Sequence, residues 1–421
     1  MQHIVIFGPG PRFKGGISNF TTSLANSLHK EGAKVSIVSW SQQYPAIIPR
    51  DFVDKASKRD LLEGRDIQVQ YLTNYNNPFS WYKTAKLIAS LKPDIVIFQW
   101  AIAIQGLPMG IISRKVKDLS PQTEILFDVH NVVQKENGKL DRILTRFALK
   151  SADSYIMHGQ VTIDEFSNFL PEIKYEISDT GLRESDKKTI IKLFHPVYDM
   201  FKPKPNFDVE AVKLELGLKT NVFLFFGFIR KYKGLHYAIE SFATLLKDYP
   251  DSSLLIVGES FWDTVDKTKL STKLKQFIFN TARFILLRKA DSEQDYKPLA
   301  LIKQFGIESN TVVINRFVPN EEVYKYFQVS DAIVNFYEYA TPSGVESIAY
   351  NFNKPILATA VGHFRFAIID SQNGYLANAA DVPSMALAMK KIIENPISKS
   401  SIEHIAAAQN WKNYSKAILR K

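Results

Sequence analysis

Short apolar, β-branched runs recur along the first half of the chain, each followed by an amphipathic stretch. HIVIF (3–7), KVSIVSW (34–40), DIVIFQ (94–99), EILFDV (124–129), SYIM (154–157) and IIKLF (190–194) read as strands, with ISNFTTSLANSLHKEG (17–32) as a helix between the first two. Strands and helices in alternation demand a parallel sheet closed by right-handed crossovers. A second series follows: NVFLFFGF (221–228), SSLLIVG (252–258), TVVINRF (311–317), DAIVNF (331–336) and KPILATA (354–360). Between them lies HPVYDMFKPKPNFDVE (195–210), which has three prolines and neither periodicity and reads as an interdomain linker. The expectation is an α/β protein of two doubly wound parallel-sheet domains, facing a cleft at the carboxyl ends of both sheets, where ligands bind.

Composition narrows the function classes. A length of 421 residues suits two or three domains, and the absence of cysteine excludes disulfides, thiolate zinc sites and a cysteine nucleophile. The start MQHIVIFGPG runs straight into a strand, so no signal peptide is expected. Residues 95–113 carry no charge, but two glutamines with Gly106, Pro108 and Gly110 favour a buried strand, a loop and a helix start over a membrane span. The net charge of +10 is spread over both halves. A nucleic-acid-binding arm is therefore not expected, while weak attraction to phosphorylated ligands or anionic lipid is compatible.

Three stretches carry chemistry. FGPGPRFKGGISNF (7–20) sets Gly15 and Gly16 at a helix start, where free N–H groups meet a ligand. FFGFIRKYKGLHYAI (225–239) sets Arg230, Lys231 and Lys233 just past a strand end, suited to a diphosphate. NFYEYATPSGVE (335–346) spaces Glu338 and Glu346 around Thr341-Pro342, read as an N-cap and first helical position. Two carboxylates flanking an anion-attracting helix terminus make sense if they hold hydroxyls on either side of a phosphate. Taken singly, the first two stretches also suit a plain turn and a solvated cationic face.

In this order on two α/β halves, the three stretches resemble the retaining glycosyltransferases of the GT-B fold, glycosyltransferase family 4. The resemblance extends to DVHN (128–131), HPVYDMF (195–201), RFVPNEEVYKYFQVSDAIV (316–334), PILATAVG (355–362) and NGYL (373–376). It implies two Rossmann-like domains, an acceptor-side one over 1–197 and a nucleotide-sugar donor domain over 198–395, with 396–421 a C-terminal helix returning toward the first. By position, Glu338 would contact donor-sugar hydroxyls, Glu346 the ribose, and the backbone of 341–344, including Thr341, Ser343 and Gly344, the diphosphate. Lys233 would neutralise the leaving phosphate, Gly15 and Gly16 would close over it beside Gly227, and His130 would lie near the reacting sugar. Three departures stand out. Tyr339-Ala340-Thr341 replaces a common Gly-Phe-Gly. Phe228 holds the place of an arginine, for which Arg230 is the substitute. Arg365-Phe366 replaces a common glutamate.

No Asp-x-Asp occurs and no histidines have metal-ligand spacing. No metal and no cofactor are therefore expected, with Lys233 and Arg230 in the metal's role. The resemblance implies transfer from a nucleotide-diphosphate sugar to a glycan or lipid-linked acceptor; a nucleotide-sugar epimerase or a non-catalytic binder of the same fold are the rivals. Tyr44-Pro45, Trp81 and Trp100 suit either an acceptor wall or the core. Finally, TKLSTKLKQFIFNTARFILLRK (268–289) has six basic residues (Lys269, Lys273, Lys275, Arg283, Arg288, Lys289) and no acidic one, with Leu270, Leu274, Phe277 and Ile278 on one helical face. It reads as a helix on the donor domain or as a peripheral contact with a membrane's inner face, in a cytoplasmic protein.

Overall fold

The computed structural model describes residues 1–45, 51–132, 138–183, 187–260 and 296–420; the segment 268–289 lies outside the described residues. The fold is the expected pair of parallel-sheet α/β domains. The first sheet contains β1 (His3–Gly8), β2 (Lys34–Gln42), β3 (Gln68–Asn74), β4 (Ile95–Trp100), β5 (Glu124–Val129), β6 (Ser154–Met157), β7 (Tyr175–Ser178) and β8 (Lys188–Lys192). Its order is β3-β2-β1-β4-β5-β6-β8-β7, and every pairing is parallel. The second sheet contains β9 (Asn221–Phe226), β10 (Ser252–Val257), β11 (Thr311–Ile314), β12 (Ala332–Asn335), β13 (Ile356–Thr359) and β14 (Gly374–Ala377), ordered β11-β10-β9-β12-β13-β14.

Both orders reverse direction beside their first strand, between β1 and β4 and between β9 and β12. At such a switch point the loops leave in opposite directions and open a crevice at the strands' carboxyl ends. The loop after β1 is the Gly15-Gly16 segment, the loop after β9 carries Lys233, and the loop after β12 carries Glu338. Topology alone thus brings all three chemical stretches to one place.

Continuous apolar runs become strands buried on both faces: His3–Gly8 and Ile95–Trp100 are buried throughout. The uncharged stretch 95–113 is β4 followed by the start of a helix, Gly106–Leu119. Among the described residues no helix is long and apolar enough to cross a membrane. Trp81 and Trp100 belong to the first domain's core.

The segment 195–201 is not a solvent-exposed tether. Val197, Tyr198, Met200 and Phe201 are buried in a core shared by both domains. After the helix Val382–Glu394 the chain forms Lys399–Ala408, against the helix Gly344–Asn351, and then Trp411–Leu419, against the first domain's helix Gly16–Lys30. The two passages between domains touch where the Val197 N–H donates to the Gln409 carbonyl at 2.9 Å.

Candidate active site

On the second domain, β9 ends at Phe226 and the chain turns through Gly227 into a single 3-10 turn, Lys231–Lys233. Gly234 ends that turn with φ 64°, and a Cβ there would lie 1.9 Å from the Phe336 carbonyl oxygen, so only glycine lets this loop settle on the end of β12. Lys233 is held partly buried in consequence. A Cβ on Gly227 would be 3.0 Å from its Nζ, and the Tyr337 ring centre is 5.7 Å away. Burial, and next the neighbouring Arg230 guanidinium, push the ammonium down to about 8 from 10.5. It is still protonated at neutral pH, with little water to shield it.

The loop carrying Glu338 is fixed from both sides. The Glu338 N–H donates to the Tyr232 carbonyl at 2.7 Å, the His363 N–H donates to the Ala340 carbonyl at 2.9 Å, and the Thr359 hydroxyl donates to the Tyr337 carbonyl. The helix that follows begins later than the sequence suggested. Thr341-Pro342 is not the cap. Ser343 is the N-cap and Gly344 the first helical residue, with the Val345 N–H donating to Ser343 Oγ at 3.3 Å. Serine is the better cap, and the pattern Ser343-x-x-Glu346 is that of a capping box, a signal that would have located this helix start.

Glu346 does not fold back to close that box. Its buried carboxylate lies 3.1 Å from His363 Nε2 and also meets Tyr350. Burial opposes the charge on His363, but the facing carboxylate outweighs it and lifts the imidazole above its ordinary value. Glu338 is far less constrained: its side chain is about a third exposed, 3.9 Å from His236 Nε2.

Across the cleft, Gly15 caps the helix Gly16–Lys30 with φ 114°, and neither Gly15 nor Gly16 has an atom within 4 Å of where a Cβ would be. Open backbone at a helix N-terminus is what a phosphate requires. The Tyr198 hydroxyl donates to the Gly16 carbonyl at 2.9 Å, while its ring edge is 3.0 Å from a Cβ placed on Gly344. One buried tyrosine therefore spaces the two helix N-termini that bound the cleft. HPVYDMF, read as the start of the linker and as part of the family resemblance, carries no assigned contact in the sequence; a large aromatic between prolines is its one sign of a packed role. Polar contacts span the cleft: Lys14 Nζ lies 3.6 Å from Glu259 and 4.8 Å from the centre of the Phe317 ring, the Tyr339 hydroxyl donates to Glu165 at 3.1 Å, and the Asn320 N–H donates to Ser57 Oγ at 2.9 Å.

Gly15, Gly16, Gly227, Arg230, Lys233, Glu338, Thr341, Ser343 and Gly344 all line a single cleft of about 830 Å³. Glu346 and His130 lie behind that lining, whereas Asn131, next to His130, is part of it. His130 is buried, with its ring edge-on to Phe20 and Nε2 2.7 Å from Gln99 Oε1. Burial pushes it down to about 4, so its ring is neutral at physiological pH. The fold also gathers groups that sequence spacing left apart: one ligand atom each from Asp128, His130 and His158 lies within 4.8 Å of the others. Asp128 lies near the end of β5, and His130 and His158 directly follow the ends of β5 and β6, so their proximity is a product of strand pairing. Hydrogen bonds occupy this cluster. Asp128 Oδ2 accepts from Gln99 at 3.3 Å and from the Tyr414 hydroxyl at 3.0 Å, and Oδ1 faces His158 Nε2 at 3.1 Å. Despite burial, His158 and His130 hold the Asp128 carboxyl below its ordinary value.

Two switch-point crevices facing each other define the GT-B class, and solved structures agree. Sucrose-phosphate synthase from Thermosynechococcus elongatus superposes with a TM-score of 0.65 at 15% identity, covering 99% of this chain and 96% of that one. Anabaena HepE, solved with UDP, gives 0.65 at 14% identity, covering 99% and 97%. Residues 206–416 match the family described as Glycosyl transferases group 1, and the chain belongs to that family. Among curated relatives it is 22% identical to a D-inositol 3-phosphate glycosyltransferase of Corynebacterium urealyticum over 62% of this chain and 57% of the relative. It is 23% identical to an alpha-monoglucosyldiacylglycerol synthase of Acholeplasma laidlawii over 68% and 64%. The chain thus spans less than two thirds of these curated relatives' length.

Proposed function

We propose that this chain is a retaining glycosyltransferase that moves a sugar from a nucleotide-diphosphate sugar to a glycan or lipid-linked acceptor without a metal ion. The observation that carries the reading is the convergence of Lys233, Arg230 and two helix N-termini on one cleft, beside the carboxylate of Glu338. Breaking the bond between the anomeric carbon and the phosphate leaves negative charge on the diphosphate and positive charge on the sugar. Fixed cations and helix N–H groups stabilise the first without reorganising. Glu338 faces the cleft where sugar hydroxyls would need an acceptor. The acceptor oxygen bonds to the anomeric carbon on the face the phosphate leaves, and its proton passes to the leaving phosphate. Retention rests on the resemblance of the motifs. HepE was also solved with UDP-glucose, which supports a nucleotide-sugar donor, and the curated relatives' names support a polar or lipid acceptor. The cytoplasm, free or at the membrane's inner face, is the proposed location.

The test is a screen of UDP-, GDP- and ADP-sugars for slow release of nucleoside diphosphate, followed by acceptor trials with the best donor. Acceptor-stimulated release that persists in EDTA is expected. Full-rate turnover of the donor without any acceptor would make the protein an epimerase instead. Loss of activity in EDTA restored by a divalent ion would overturn the metal-free mechanism.

A further inference from the structure

The first domain carries an apolar surface that its own fold leaves open. The helix Gly106–Leu119 and the helix Lys139–Leu149 pack closely: a Cβ on Gly106 would meet the Leu144 carbonyl oxygen at 2.6 Å, and one on Gly110 the Phe147 ring at 2.6 Å. The two helices therefore run side by side in the same direction, and Leu107 and Ile143 flank the Gly106–Leu144 contact. Both are exposed, Ile143 at 62%, as are Ile111 on the first helix and Leu140, at 65%, on the second. Four large aliphatic side chains thus stand on adjoining turns of two packed helices. Scattered exposed leucines need no explanation, but a contiguous set does.

Lys139 and Arg142 sit beside Leu140 and Ile143, both are exposed, and among the described residues neither is in an ion pair with an acidic group. On the two helices Arg146, Lys115 and Lys117 pair with Glu172, Asp118 and Asp153, and Arg114 donates to the Gly110 and Phe147 carbonyls, so Lys139 and Arg142 are the cations left to meet a partner at the apolar face. An isologous contact between two copies would set these cations against each other, which disfavours self-association. Apolar side chains with two such cations at their edge suit the headgroup region of an anionic bilayer, where the aliphatic groups enter the acyl boundary and the cations meet lipid phosphates. The location is informative too. Each helix follows the carboxyl end of its strand, β4 or β5, and the intervening Ile102 and Asn131 line the cleft.

We propose that the face formed by Leu107, Ile111, Leu140 and Ile143 docks on an anionic lipid surface, setting the first domain's side of the cleft against the membrane. The docking is a property of the apo protein and needs no donor, so it stands or falls separately from the transfer reaction. The full chain is to be sedimented with phosphatidylcholine vesicles with and without phosphatidylglycerol, at low and high salt. Wild type should pellet with the phosphatidylglycerol vesicles at low salt and be released at high salt. Leu140→Ser with Ile143→Ser should reduce partitioning about tenfold or more, and Lys139→Glu with Arg142→Glu should reduce it similarly. Circular dichroism melts and donor hydrolysis by both variants should match wild type. If either pair pellets like wild type, or wild type never pellets, the proposal fails. A wild-type dimer in light scattering that Leu140→Ser/Ile143→Ser turns into a monomer would instead identify the face as a contact between copies, and would also overturn it.

Discussion

The two walls of the cleft are built differently. The second domain's wall concentrates charge: Arg230, Lys231, Lys233 and Glu338 leave neighbouring strands, and the family match falls on 206–416. The first domain's wall offers open backbone at Gly15 and Gly16, the small polar Asn131 and the single carboxylate of Asp54, while Asp128, His130 and His158 are withdrawn into the interior. The chemistry of phosphate departure dictates a narrow set of side chains on one side. On the proposed reading the other side would fit an acceptor, and its requirements would differ from one acceptor to the next. Substitutions on the two walls should therefore have unequal consequences.

The largest effect is expected at Lys233. Lys233→Ala should lower turnover by about two orders of magnitude or more while leaving the fold intact, since it removes one stabiliser of the leaving charge. Initial rates with saturating donor measure this, and near-normal activity would erase the distinction between the walls. The same ammonium sets a pH limit. It is protonated below about 8, so nucleoside diphosphate affinity for the free protein should hold at neutral pH and fall as pH rises past about 8. Calorimetric titration of UDP and GDP across that range would show it, and Lys233→Arg should flatten the alkaline fall.

Within the charged wall, Glu338→Gln and Glu346→Gln should separate. Glu338→Gln should lower rate and sugar discrimination with little change in melting temperature. Glu346→Gln should weaken free nucleotide and cost about 1–3 kcal/mol of stability, because it strips a buried imidazole of its carboxylate. The sign with pH follows from the raised His363. The pair's contribution is complete below 6.5, the ordinary imidazole value, and is lost as pH rises through the higher folded value. Melts of the Glu346→Gln variant should lose that dependence. Equal nucleotide affinity in both variants and wild type would show the two roles to be wrongly divided.

The smallest effects are expected on the open wall. Lys14→Ala removes a cross-cleft contact with Glu259, and a loss of only a few-fold in donor affinity is expected, because the 3.6 Å pair lies apart from Lys233 and Arg230. Tyr414→Phe leaves Asp128 short of one donor and should lower the unfolding midpoint by the equivalent of about 1 kcal/mol, read by denaturant titration, without altering nucleotide binding.

Legibility followed burial. Strands in the sheet interiors announced themselves as apolar runs, and EILFDV and SYIM match β5 and β6 residue for residue. The strands absent from that reading, β3, β7 and β14, are all sheet edges, where QVQYLTN and YEIS carry polar residues because one side has no neighbour. In the cleft, residues adjoining a distinctive loop were visible: Lys233, Glu338, Gly15. Those whose part depends on a distant partner were not. His363 matters through Glu346 on another element, Tyr198 through Gly16 and Gly344, and no local pattern encodes either pairing. The helix start at Ser343 was missed because proline drew attention to Thr341, although the glutamate three residues beyond the serine marked the better cap.

The return of the helix Trp411–Leu419 to the first domain gives the two domains two covalent passages instead of one, joined to each other at Val197 and Gln409. A single strand between bodies permits rotation about its own axis as well as bending. Two strands side by side resist that torsion and leave opening and closing about one line as the soft motion. Loading and release of a ligand would then proceed like a book on its spine, with Tyr198, set between the helix starts at Gly16 and Gly344, close to the line that moves least.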